Sequence, residues 1–339
     1  MKDEFHFDLR FSVFQKAIAV LGIATLVSGL LPIPDFLVST FSSPVLAQSS
    51  AEELFNRGME KYQQGNYSGA FNDFTAAIRQ DANLTKAYYS RGLVRRKLGD
   101  NQGAIADYTE LLKRNPQNVD AYLNRGVVYA DQKKYREAIE DYTKALNLDQ
   151  KNAIAYYNRG NARNALGNRR EAEADYSKAI QLQPNDATAY VNRGNARVQL
   201  GETQEAIADF TKALSLNPNL VEAYYNRGII QRRRGNIKEA IADYDQAIQR
   251  DPNNAAAYYN RAIARQQVGD PQAAIADYTE AIAISPNFAK AHGNRGLLRY
   301  ETGDARGAIE DLQAAARLFS EQGLTADSQK ALALLRQLK

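Results

Sequence analysis

The chain has 339 residues, 44% of them hydrophobic and 24% charged, with a formal net charge of +4 at pH 7, the composition of a folded protein rather than a disordered one. It contains no cysteine and two histidines, His6 and His292, which excludes disulfides, thiolate metal sites and cysteine nucleophiles and leaves no basis for a histidine triad or zinc centre. A balance of +4 is also too slight to mark a nucleic-acid-binding surface by itself.

The first element is a leader. Lys2, Arg10 and Lys16 precede an apolar run from Ala17 to Leu31, and Val45-Leu46-Ala47 before Gln48 presents small residues where a signal peptidase reads,. Asp3, Glu4 and Asp8 dilute the positive region, and Pro32 to Phe41 is a long stretch before the cut. The rival reading is an uncleaved anchor: Phe11 to Leu31 spans 21 residues, about 30 Å of helix at roughly 1.5 Å per residue, enough to cross a bilayer. Residues 1–47 are therefore expected to be a signal peptide or an N-terminal membrane anchor at 11–31. Residues 48–50 form a short linker. Either reading puts the remaining chain outside the cytoplasm, in a periplasm or lumen or secreted.

From Ala51 a three-letter pattern returns every 34 residues: Asn56-Arg57-Gly58, Ser90-Arg91-Gly92, Asn124-Arg125-Gly126, Asn158-Arg159-Gly160, Asn192-Arg193-Gly194, Asn226-Arg227-Gly228, Asn260-Arg261-Ala262 and Asn294-Arg295-Gly296. A fixed period of this length denotes one supersecondary unit stacked on its copies, since no unit buries its apolar face alone. The expected units are 51–84, 85–118, 119–152, 153–186, 187–220, 221–254, 255–288 and 289–322, followed by a C-terminal segment, 323–339. There Thr325 to Leu338 places Ala331, Leu334, Leu335 and Leu338 on one helical face as a cap.

Within a unit such as Ala153 to Asp186, two amphipathic runs flank Gly167-Asn168 and the second ends before Pro184, which reads as two antiparallel helices. Asn66, Asp100, Asn168, Asn236, Asp270 and Asp304 are expected to cap the second helix through their side chains, a pattern broken by Lys134 and Glu202. Pro116, Pro184, Pro218, Pro252 and Pro286 close it. Alanine recurs at the twentieth position, from Ala70 to Ala308. The glycine of the pattern faces an aromatic residue of the second helix: Phe74, Tyr108, Tyr142, Tyr176, Phe210 and Tyr244, with Tyr278 opposite Ala262.

On these residues the chain resembles the tetratricopeptide repeat family, whose 34-residue pattern combines an aromatic, a glycine, an alanine, a second aromatic and a proline. The departures are tyrosine for tryptophan at Tyr88, Tyr122, Tyr156, Tyr190, Tyr224 and Tyr258, arginine before the glycine, and Leu54 and His292 at the aromatic site of the end units. His292 reads as a packed aromatic substitute. The resemblance implies an all-α fold, a right-handed α-solenoid of eight helix–turn–helix units with a C-terminal capping helix.

Each arginine of the pattern is followed sixteen residues later by an aspartate, from Arg57 and Asp73 to Arg295 and Asp311. Facing helices place these at equal height, so a structural ion pair is favoured over a phosphate-binding ladder. A second basic residue stands one turn on, at Lys61, Arg95, Arg163, Arg197, Arg265 and Arg299, without an evident partner.

The asparagines are the candidate site. Helical spacing of 100° per residue points positions two, six, nine and thirteen of the first helix away from the second. An amide side chain offers both donor and acceptor to the peptide groups of an extended chain. In the family resembled here, first helices line the concave groove and asparagines at this position contact peptides. That implies peptide-binding roles for Asn56, Asn124, Asn158, Asn192, Asn226, Asn260 and Asn294. Hydrogen bonding between repeats is the alternative. Position nine is Met59, Leu93, Val127, Ile229, Ile263 and Leu297, interrupted by Asn161 and Asn195, and serves packing or ligand pockets. Tyr89, Tyr157, Tyr225 and Tyr259 flank the row. The clusters containing Arg96, Lys97, Arg232 and Arg233 suit an acidic or carboxylate-bearing partner.

The expected function is a noncatalytic scaffold binding a protein or extended peptide, in the assembly of envelope or lumenal complexes, without cofactor or metal. The alternatives are a helical-repeat RNA-binding protein and a regulatory subunit of an enzyme complex.

Overall fold

The computed structural model describes residues 49–338; the leader expected at 1–47 lies outside the described residues. Every regular element described is α-helical: α1 (Ala51–Gln63), α2 (Tyr67–Gln80), α3 (Thr85–Lys97), α4 (Asn101–Arg114), α5 (Val119–Asp131), α6 (Tyr135–Leu148), α7 (Ala153–Ala165), α8 (Arg169–Leu182), α9 (Ala187–Leu200), α10 (Thr203–Leu216), α11 (Val221–Arg233), α12 (Ile237–Arg250), α13 (Ala255–Gln267), α14 (Pro271–Ile284), α15 (Ala289–Glu301), α16 (Ala305–Glu321) and α17 (Thr325–Gln337). Odd and even helices up to α16 pair as hairpins, and each second helix packs on the first helix of the next unit. Local contacts of this kind define a solenoid.

The hairpin turn needs a residue in the left-handed region. Glycine supplies it at Gly65, Gly99, Gly167, Gly201, Gly235, Gly269 and Gly303, and in the third unit Lys133 takes φ 59° in its place. The seam of each hairpin is built as the spacing predicts. A Cβ added to Gly160 would lie 2.8 Å from Tyr176 Cε1, so the absent side chain is what lets the ring sit flat against α7. Ala70, Ala104, Ala138, Ala172, Ala206, Ala240, Ala274 and Ala308 are wholly buried beside these rings.

The capping expectation needs correction. Asn66, Asp100, Asp270 and Asp304 accept from the backbone N–H three residues on, but Asn168 and Asn236 make no such bond. The difference follows the acceptor's landing site: the capped helices have Gly69, Gly103, Ala273 and Gly307 there, the uncapped ones Glu171 and Glu239. The Asn236 amide donates instead to Gln231 Oε1 at 2.7 Å.

Both ends of the array are closed by their residues. Inner first helices bury alanine at the third position, Ala87 through Ala291, and an apolar residue at the tenth, Val94 through Leu298, against the preceding unit. The first unit carries exposed Glu53 and Glu60 at those two places, and a further unit stacked there would desolvate both carboxylates. At the other end α17 packs on α16, burying Ala331 and Leu335, while Ser328 Oγ donates to the Ala316 carbonyl at 2.8 Å. Leu334 and Leu338 are half-buried.

Successive first helices touch each other, from α1 with α3 through α11 with α13, and no two second helices come into comparable contact among the described residues. The array therefore bends toward its first helices. Their outward side lines the inside of the bend, a groove.

Candidate functional site

The arginine row is structural. Arg159 binds Asp175 through two parallel bonds, Nε to Oδ2 at 3.0 Å and Nη2 to Oδ1 at 2.7 Å. The same geometry recurs in every unit, from Arg57–Asp73 to Arg295–Asp311. The third nitrogen reaches the preceding unit: Arg91 donates to Thr75, Arg125 to Thr109, Arg159 to Thr143, Arg193 to Ser177, Arg227 to Thr211 and Arg295 to Thr279. At the seventh unit Arg261 instead meets the carboxylate of Asp245 at 2.5 Å. In the six inner units the guanidinium also lies over the tyrosine one turn before it, as Arg159 over Tyr156 with 5.6 Å to the ring centroid. Each arginine thus ties its own hairpin, and every one after Arg57 also fastens it to the previous unit. With its donors so engaged, the row offers no ladder for phosphates.

The second basic residues find the same aspartates. Lys61 lies 2.6 Å from Asp73, Arg95 2.9 Å from Asp107, Arg163 2.6 Å from Asp175, Arg197 2.8 Å from Asp209, Arg265 2.9 Å from Asp277 and Arg299 2.8 Å from Asp311. Units three and six have Tyr129 and Gln231 at that place, so Asp141 and Asp243 face one cation each. The electrostatics follow. At Asp73 the Arg57 hydrogen bond outweighs burial and, with Lys61, lowers the pKa below 3.8. Burial dominates at Asp243, which Arg227 alone opposes, and its pKa is raised. His292 does more than fill an aromatic place: its Nδ1 is 3.3 Å from Asp311 Oδ1, and Nε2 is 3.1 Å from the Pro286 carbonyl.

The asparagine row lies along the groove, and the structure shows what most of it holds within the chain. Asn124 Nδ2 donates to Tyr89 Oη at 3.1 Å, Asn192 to Tyr157 at 2.9 Å, Asn260 to Tyr225 at 3.0 Å and Asn294 to Tyr259 at 3.2 Å. Each tyrosine is the fifth residue of the preceding unit, 35 positions back. Burial raises the phenol pKa of Tyr89, Tyr157 and Tyr225, Tyr89 being pushed up to about 12 chiefly by desolvation,. Where the preceding unit lacks the tyrosine, the bond changes. Val191 stands before Asn226, which turns to Asn195 Oδ1 at 2.8 Å; Leu123 stands before Asn158, whose side chain makes no hydrogen bond among the described residues. Asn56 has no preceding unit and is exposed.

Bridging between units, the alternative weighed in the sequence, is therefore present at five asparagines. It uses only the donor end of each amide. Among the described residues no donor occupies the Oδ1 atoms of Asn124, Asn192, Asn226, Asn260 or Asn294, and Asn158 keeps both ends open. Anchoring the donor fixes the direction of the acceptor, so the row is a set of oriented carbonyl groups along the groove.

The ninth position sits closer to the hairpin seam than its spacing implies. Asn161 Oδ1 accepts from Tyr176 Oη of the second helix at 2.8 Å, and Asn195 and Ile229 are buried. Of the basic clusters, Arg96 pairs with Asp131 at 3.2 Å and Arg232 lies beside the buried phenol of Tyr244, whose pKa burial raises to about 12 against the opposing effect of Arg232. Lys97 and Arg233 are exposed. The twenty-fifth-position hydroxyls that receive the arginines carried no signal in the sequence reading, although their recurrence with the same period was there to be seen.

The tetratricopeptide repeat family model matches residues 89–153, 191–255, 225–287 and 259–323, and a second tetratricopeptide repeat model matches 153–186. No curated protein matches the chain. Among solved structures, the C-terminal part of a TPR repeat-containing protein from Cytophaga hutchinsonii is 20% identical with a TM-score of 0.60, over 70% of this chain and 97% of that one. A chain of the APC/C hetero-tetramer Cut9–Hcn1 is 18% identical with a TM-score of 0.51, over 85% of this chain and 56% of that one. YrrB, described as a TPR protein with an unusual peptide-binding site, is 26% identical with a TM-score of 0.49, over 54% of this chain and 95% of its own. Period, hairpin packing and matched residues agree, and the chain belongs to the tetratricopeptide repeat family.

Proposed function

We propose that this protein is a noncatalytic interaction scaffold that binds an extended segment of a partner protein along the groove of its first helices. The observation that carries this reading is the asparagine row, whose donor ends are tied to the preceding unit while the acceptor ends stand open in register. Peptide N–H groups of an extended chain need such acceptors, and a backbone-directed row binds without reading side chains. Asn158, with both ends open, is the member able to hold a peptide group from both sides. The leader supports a site of action outside the cytoplasm, in assembly of envelope or lumenal complexes, which fractionation of native cells tests: recovery of the repeats in the cytosol overturns it.

A photo-crosslinking residue at Asn158, compared with one at Lys238 on an exposed second-helix surface, tests the groove in living cells. The expected result is a discrete crosslinked protein from position 158 that is lost with the additional substitutions Asn124→Ala and Asn192→Ala. Identical products from positions 158 and 238 would overturn the assignment.

A further inference from the structure

The open ends of the asparagine row recur unit by unit. Asn124, Asn158, Asn192, Asn226, Asn260 and Asn294 hold the sixth place in six successive units. Buried side-chain atoms without a partner do occur in the molecule, Tyr108 Oη and Asn164 Oδ1 among them, but no Oδ1 of this row is one of them, so these acceptors reach solvent. The row ends at the second unit, where Ser90 is buried and its hydroxyl donates to Met59 Sδ at 3.7 Å. The tyrosines beside the row are held from two sides. Tyr89, Tyr157, Tyr225 and Tyr259 receive an asparagine amide at the hydroxyl, and their rings pack against Tyr108, Tyr176, Tyr244 and Tyr278 with centroids 5.8 to 6.3 Å apart. They are half-buried and give the groove a fixed aromatic row.

The step of the row decides which backbone fits it. First helices from α5 to α13 touch in succession, and the Asn294–Tyr259 bond joins α13 to α15. Helices in contact lie about 8–10 Å apart, so one acceptor arrives at about that interval. A β-strand presents N–H groups to one side at every second residue, about 6.4–6.8 Å. It therefore slips by at least about 1.2 Å at each unit and by about 6 Å, nearly a whole strand repeat, between Asn124 and Asn294. An α-helix bonds its interior N–H groups within itself and offers none. Polyproline II has three residues per turn, so one N–H returns to the same side about every 9.3 Å, within the step of the row. It makes no internal hydrogen bonds, and aromatic grooves accept it because it is ordered before binding.

We infer that the segment held by this groove is proline-rich, in the polyproline II conformation, with a residue other than proline at every third place. Each such residue donates its N–H to one asparagine Oδ1 of the row. Proline is accepted at the two places between, whose nitrogens point elsewhere. Six asparagines, each one turn of ligand apart, match about 16 residues. This rests on the peptide-binding reading above and specifies the conformation and sequence period of its ligand.

Random 18-residue peptides displayed on phage and panned on the immobilised full-length chain supply ligands, and a proline scan of the enriched peptides by fluorescence anisotropy tests their backbone. Proline at a donor place removes the N–H and keeps the polyproline II conformation. Binding should be retained at two of every three places and fall at least about tenfold at the third. Loss at every second place would identify a β-strand and loss at consecutive places a helix, while loss without a period would mean that side chains are read; each overturns the inference. In the protein, Asn158→Ala removes an acceptor that bonds nothing among the described residues. It should leave the thermal midpoint unchanged and weaken the enriched peptides at least about threefold. Undiminished affinity for that variant would overturn the matching of donors to the row. No enrichment over an uncoated surface would instead overturn the peptide-binding reading itself.

Discussion

Replacing Asp175 by alanine probes the element on which the array depends most. Its carboxylate, with 4% of the side chain exposed, receives Arg159 through two bonds and Arg163 through a third at 2.6 Å. The guanidinium groups are 14% and 24% exposed, too little for water to replace what the carboxylate supplies. Removing one partner of a buried ion pair costs about 3–5 kcal/mol, against at most about 1 kcal/mol for a surface pair. Arg159 also reaches Thr143 of the preceding unit at 3.1 Å, so disorder at Arg159 should spread to the junction of α6 and α7. With a urea slope on the order of 2–3 kcal/mol per molar, the transition for the affected units should move down by at least about 1 M. Because repeat arrays unfold in parts, amide hydrogen exchange should accompany the urea curve, with lost protection centred on α7 and α8. A midpoint unchanged within error, or protection lost evenly along the chain, would refute this reasoning.

Lys133 occupies a left-handed backbone position at φ 59° where the other hairpin turns have glycine. Relief of about 1–2 kcal/mol of strain, less the extra entropy glycine has in the unfolded chain, predicts that Lys133→Gly raises the thermal midpoint of the third unit, and a fall would contradict it. The aspartates should titrate in a definite order by carboxyl NMR. Asp243, raised by burial, should titrate above 3.8, so acidification through its pKa favours the folded state at this group. Asp73 and Asp311 should titrate below 3.8, and their stabilisation, complete above 3.8, should be lost as pH falls through their lowered values,. For Asp311 burial acts against the charge, but His292, Arg295 and Arg299 outweigh it. The opposite order would show that the second cation does not govern these sites. Finally, Glu53→Ala with Glu60→Val gives the first unit the interface residues of an inner one, and light scattering should then show concentration-dependent association. Scattering identical to that of the unaltered chain would mean that these carboxylates do not protect the end.

The ion pairs were legible because both partners recur at a fixed separation in one hairpin: sixteen residues across a turn near the fifteenth position is a geometric statement. The second cations were visible but unassigned, since one aspartate accepting two of them is a property of three-dimensional crowding at Asp73 or Asp175. The caps were legible only in part. Asn168 has the same side chain as Asn66, but Glu171 stands where Gly69 leaves room, and that comparison involves a residue one turn further on.

What the amino-acid sequence determined by itself is everything that depends on repetition: the number and length of the units, the glycine–aromatic seam, the turn glycines and the family. These rest on contacts within a hairpin, where chain separation fixes spatial separation. What only the tertiary structure decided is the use of the asparagines. The tyrosines that orient them lie 35 residues back on a neighbouring first helix, and their presence or absence separates Asn192 from Asn158. The bend toward the first helices brings each such pair within hydrogen-bonding reach, and that bend is a product of packing between units rather than of any one repeat.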